Sequence, residues 1–80
     1  MKLLMKYPTG NSCFSEDTMG EVHGNETNFY IEESNEGRYF RIYGEAAIEF
    51  LERKEVHTSK DKEIVDDAIS LLKSKLNGIN

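Results

Sequence analysis

Asn28-Phe29-Tyr30-Ile31-Glu32-Glu33, Ser34-Asn35-Glu36-Gly37 and Arg38-Tyr39-Phe40-Arg41-Ile42-Tyr43 are three consecutive segments whose reading decides the fold. The outer two are rich in β-branched and aromatic residues, and the middle one is built from turn formers, so the stretch reads as a β-hairpin. Taking Ser34 to Gly37 as a four-residue loop sets Glu33 opposite Arg38, Ile31 opposite Phe40 and Phe29 opposite Ile42. Phe29, Ile31, Phe40 and Ile42 then share one face, whereas a one-residue slip would scatter them over both. Gly37 supplies the positive φ that such a loop needs at its end.

Upstream of the hairpin, Lys2 to Tyr7 reads as a short strand with Leu3, Met5 and Tyr7 on one face and Leu4 on the other. Pro8-Thr9-Gly10-Asn11-Ser12 is expected to end it. Cys13 to Gly20 is the least readable stretch. A further strand is expected around Thr18 to His23, closed by Gly24-Asn25 as a two-residue turn.

Downstream, Glu45 to Val56 reads as a helix with an apolar stripe of Ala47, Ile48, Phe50 and Leu51. A second helix is expected from about Lys60 to Leu76, where Ile64, Val65, Ala68, Ile69, Leu71, Leu72 and Leu76 recur at helical spacing. Thr58 or Ser59 can cap its start, Asp61 and Glu63 suit the positive end of its dipole, and Lys73, Lys75 and Gly78 suit its C-terminus. Strands followed by helices predict an α+β fold. An antiparallel sheet of three to four strands in the N-terminal half is covered on one face by two C-terminal helices.

Eighty residues make one domain, 1–80, with a core that nearly every element must share. Apolar residues at 38% and charged residues at 31% exclude a disordered chain. The net charge of −5 disfavours nucleic acid and anionic membranes, and favours a partner protein with a basic surface. No apolar run approaches the ~20 residues of a membrane span. Cys13 is the only cysteine, which rules out an internal disulfide and points to a reducing, cytoplasmic setting. The abundance of lysine, glutamate, asparagine and isoleucine suits an AT-rich bacterial or phage genome.

No phosphate-binding glycine loop, nucleophile elbow or Cys-x-x-Cys pair is present. His23 and His57 fall in different expected turns without helical ligand spacing, so no metal or other cofactor is expected. Nothing in the spacing brings His23 or Asp17 beside Cys13 as a base for a nucleophile, so the chain is not expected to be an enzyme.

The constellation expected to carry function is the outer face of the hairpin. Tyr30, Glu32, Tyr39, Arg41 and Tyr43 alternate with the core positions and point away from them, with Tyr30 opposite Arg41 and Glu32 opposite Tyr39. Tyrosine and arginine are favoured at interfaces because each joins a large contact area to a polar tip. Ordinary cross-strand pairing on a solvated sheet, or a face covered by Cys13 to Met19, are the structural alternatives. Glu45, Glu49, Glu52 and Glu55 line one side of the first helix, with Arg53 set to pair with Glu49, and Glu32, Glu33 and Glu36 crowd the hairpin tip. Leu71, Leu72, Leu76 and Ile79 belong to the core or to a weak homodimer seam. The expected function is a small acidic protein-binding, inhibitory or regulatory module, monomeric or weakly dimeric. The alternatives are a nucleic-acid-mimicking inhibitor of a nucleic-acid enzyme, and a single-strand binder that stacks bases on tyrosines. A second helix buried along its stripe predicts that Ile69→Asp unfolds the chain, read as loss of helical circular dichroism. A stable, folded variant would contradict the core assignment.

Overall fold

The computed structural model describes residues 1–13, 16–35 and 37–77, with side chains at 1–9, 19–34 and 37–77. Four strands, β1 (Lys2–Cys13), β2 (Glu16–Gly24), β3 (Phe29–Asn35) and β4 (Arg38–Tyr43), are followed by α1 (Glu45–Glu52) and α2 (Ser59–Leu76). The strands form one antiparallel sheet in the order β1-β2-β3-β4, with every neighbour also consecutive in sequence. The α+β architecture is the one expected.

Both helices lie on one face. Tyr7, Val22, Phe29 and Ile31 from the strands meet Ala47, Ile48 and Leu51 of α1 and Val65, Ala68 and Leu72 of α2 in one buried cluster. α2 packs against β1 and α1, and α1 packs against β4. Full burial of a side chain such as Leu72 contributes roughly 1.5–3 kcal/mol. Ile64, Ile69 and Leu71 flank this cluster, while Leu76 is exposed and Ile79 lies outside the described residues.

The hairpin register differs from the expected one by two residues. Ile31 pairs with Ile42, Glu33 with Phe40 and Asn35 with Arg38, so two positions rather than four separate the paired strands. Gly37 does adopt a positive φ, 80°. A shift of two leaves every side chain on its assigned face, which is why the face assignment survives a wrong loop length.

Other boundaries moved for physical reasons. β1 runs through Pro8 instead of ending there; it is an edge strand, the place in a sheet where proline is tolerated. Its pairing is irregular between Pro8 and Ser12. A second irregularity between Leu3 and Met5 breaks the simple alternation: Leu4 and Met5 pack on the core, and Leu3, paired with His23, is exposed. β2 and β3 are joined by four residues, not two. Asn25 Oδ1 accepts from the backbone N–H groups of Thr27 and Asn28 at 2.9 and 2.8 Å, which organises that turn.

α1 stops at Glu52, short of Val56. Its start depends on Gly44, whose φ of 66° lets its N–H reach Phe29 O and its carbonyl accept from Ala47 N. α2 starts one residue early, with the Thr58 hydroxyl accepting from Asp61 N at 3.1 Å as the capping residue. Asn77 occupies the C-cap, and Gly78 lies outside the described residues.

One glycine is fixed by packing rather than by φ. Gly20 lies opposite Tyr7, and a Cβ there would overlap the Tyr7 ring. Gly20→Ala is expected to displace Tyr7 and destabilise the fold by about 1–3 kcal/mol in chemical denaturation. An unchanged midpoint would show that Tyr7 has room the packing denies it.

Candidate functional site on the outer sheet face

The register lines up two rows of side chains across the face that the helices leave open. The first row is Lys6, Glu21, Glu32 and Arg41, each opposite the next on β1, β2, β3 and β4. The second is Leu3, His23, Tyr30 and Tyr43, paired in the same way. On β2, β3 and β4 the members of the two rows are two residues apart and share the face, and the irregularity between Leu3 and Met5 sets Leu3 and Lys6, three apart on β1, opposite the same pair, so the rows are adjacent.

The second row is a stack. The His23 and Tyr30 rings lie 4.9 Å apart and 11° from parallel, and Tyr43 meets Tyr30 at 5.1 Å with a 46° tilt. The Arg41 guanidinium sits 4.8 Å from the Tyr30 ring centre. Tyr30 is thereby only 9% exposed although it faces away from the core. Tyr43 at 57% and Tyr39 at 76% remain open to solvent. The expected opposition of Tyr30 to Arg41 becomes a diagonal ring contact. Arg41 lies opposite Glu32 and donates through Nε to Oε1 at 2.8 Å, while Tyr39 lies opposite Ser34. Hydrogen bonding to Glu32, then to Tyr43, raises the pKa of Arg41, so its charge is permanent.

Of the eight expected binding residues, Tyr30, Glu32, Tyr39, Arg41 and Tyr43 come together here. Glu45, Glu49 and Glu52 do not, because α1 lies on the opposite face of the sheet. Glu52 pairs with Lys73 at 3.1 Å, and Glu45 and Glu49 are exposed. The expected Glu49–Arg53 ion pair is absent among the described residues. Arg53 lies past the last helical turn, where its N–H caps Glu49 O instead.

Glu33 departs furthest from expectation. It is 3% exposed on the helix-covered face, not part of an acidic tip, and Glu36 lies outside the described residues. The Tyr7 hydroxyl donates to Glu33 Oε2, and Lys54 Nζ reaches the carboxylate at 3.2 Å and Thr9 O at 3.1 Å. Lys54, 8% exposed, also lies 4.7 Å from the Phe50 ring centre. Burial, then the hydrogen bond and charge of Glu33, push the Tyr7 pKa far above its ordinary value, so the phenol stays a donor. An open cleft of about 620 Å³ beside Lys54 is lined by Thr9, Ile42, Phe50, Arg53 and His57. Its buried ammonium is already committed to Glu33 and Thr9, which leaves the cleft no uncommitted buried cation.

The Cys13 side chain lies outside the described residues, and so does that of Asp17. The backbones of Cys13 and His23 sit at opposite ends of the β1–β2 hairpin, paired with Glu16 and Leu3. Strand rise puts them on the order of 25 Å apart, too far for His23 to act as a base for Cys13. No helix among the described residues is long and apolar enough to cross a membrane. Comparison with protein-family models, curated proteins and solved structures returned no match. The face is therefore read from its own geometry.

Removing one partner from the buried ion pair strands the other, at a typical cost of ~3–5 kcal/mol. Lys54→Met is expected to destabilise by that order, and adding Glu33→Leu to recover much of the loss. If Lys54→Met alone leaves the urea midpoint unchanged, the pair does not hold the fold together.

Proposed function

We propose that this chain is a small protein-binding module of inhibitory or regulatory type, docking a basic partner protein on its open sheet face. The observation that carries the reading is the aromatic stack beside solvent-open Tyr39 and Tyr43, on a face that no helix covers. Tyr30, His23 and Arg41 are already held by one another, so a partner meets a preorganised surface and little side-chain freedom is lost on docking. Tyr39, Arg41 and Tyr43 supply the contacts. The net charge of −5 steers a basic surface toward them in the reducing cytoplasm, and the chain acts as a monomer or weak dimer.

Imitation of a nucleic-acid backbone is less well supported. Glu32, Glu33 and Glu52 are each tied to a cation, which interrupts the field that such mimicry needs. Base stacking on the tyrosines lacks free cations, because Lys6 and Arg41, the bases of the ionic row, face Glu21 and Glu32.

Affinity capture with wild type and with Tyr39→Ala/Tyr43→Ala, under nuclease treatment, would supply a partner whose affinity is then measured with purified proteins. Each tyrosine at the centre of such an interface is expected to contribute ~2 kcal/mol, so the double variant should bind at least ~30-fold more weakly. Equal affinity of variant and wild type would rule out this surface. A gel shift with single-stranded DNA or RNA at low salt would instead favour the stacking reading.

A further inference from the structure

The centre of the ionic row poses an electrostatic problem. Glu21 on β2 and Glu32 on β3 lie directly opposite each other, an arrangement that costs stability for like charges. Lys6 reaches Glu21 only at 3.9 Å, and Arg41 engages one oxygen of Glu32 from the other side. His23, two residues along β2 from Glu21 and diagonal to Glu32 across the strands, sets its Nε2 2.9 Å from Glu21 Oε1. One ligand atom from each of Glu21, His23 and Glu32 falls within 4.8 Å of the other two, and all three side chains are half-buried.

We propose that Glu21, His23 and Glu32 bind a divalent transition-metal ion of the zinc type. The donor set decides the class. Two carboxylates alone would suit calcium or magnesium, whereas an imidazole nitrogen favours zinc and its neighbours in the first row. A cation between Glu21 and Glu32 also removes the like-charge opposition that the register imposes. Ligand atoms around a tetrahedral zinc ion stand ~3.4 Å apart, so rotamer adjustments of about an ångström close the site.

The surroundings are those of a supported site. The stack on Tyr30 fixes the plane of the His23 ring, and Arg41 holds Oε1 of Glu32, which leaves the other oxygen for the ion. The three ligands come from two paired strands, so the backbone holds their spacing. Three protein ligands on an outward-facing surface leave at least one coordination position for water or for a donor from a docked molecule.

The test is a titration of the intact chain with Zn²⁺, with Mg²⁺ as a control, followed by calorimetry and by histidine-ring NMR. Saturable binding of one ion, ring shifts at His23 but not His57, and no response to Mg²⁺ are expected. Glu32→Gln, which keeps the shape of the side chain, should weaken binding at least ~10-fold, as should His23→Ala, whereas His57→Ala should not. Circular dichroism of each variant separates lost ligation from lost folding. The proposal is overturned by no saturable uptake below ~1 mM Zn²⁺, by shifts confined to His57, or by full affinity in folded Glu32→Gln.

Discussion

A carboxylate sealed beneath the sheet, Glu33, is the constraint on which the rest of this structure depends. Its two fixed donors flank it in sequence, the Tyr7 hydroxyl on β1 and the Lys54 ammonium just after α1. A buried charge is costly unless each of its acceptor sites finds a donor. Satisfying Glu33 therefore ties an edge strand and the connection between the helices to one point on β3. Gly20 leaves the space in which the Tyr7 ring lies, and the end of α1 at Glu52 frees Lys54 to turn inward.

Closing one face in this way decides the character of the other. Both helices are used on the side of Tyr7, Val22 and Ile31, so among the described residues the opposite side carries what the strands place there. Its rows divide the work. The aromatic row stacks and shields Tyr30, while the ionic row alternates poorly, with bases at its ends and two glutamates at its centre. The stacked row offers preformed contact area and the ionic row offers a place for positive charge, and the docking and metal readings follow from those two properties.

Sequence reasoning reached these features to different depths. Period-two alternation in Phe29 to Glu33 and Phe40 to Tyr43 is a local signal, so the outward set of Tyr30, Glu32, Tyr39, Arg41 and Tyr43 was legible even though the pairing was two residues out. The capping of α2 by Thr58 was legible for the same reason, since caps act within one turn. The burial of Glu33 was not. Its partners Tyr7 and Lys54 are 26 and 21 residues away, and no local pattern marks them. The inward position of Glu33 nevertheless follows from parity with Phe29 and Ile31, a signal available in the sequence but outweighed by its charge. The approach of Glu21 and His23 to Glu32 depends on the β2–β3 register, which a two-residue turn at Gly24-Asn25 would have misplaced. The passage of β1 through Pro8 depends on its being an edge strand, which strand order alone reveals.

The sheet has one face closed around the buried ring of Tyr7 and one face open, with Tyr39 and Tyr43 in solution and Tyr30 shielded between its neighbours. Photochemically induced nuclear polarisation with a flavin dye tests this arrangement most directly, because only solvent-accessible rings respond. The four tyrosines of the chain provide the comparison. Strong signals are expected from Tyr39 and Tyr43 and none from Tyr7 or Tyr30. Silence from Tyr39 and Tyr43 in the free protein, or a signal from Tyr7, would contradict it.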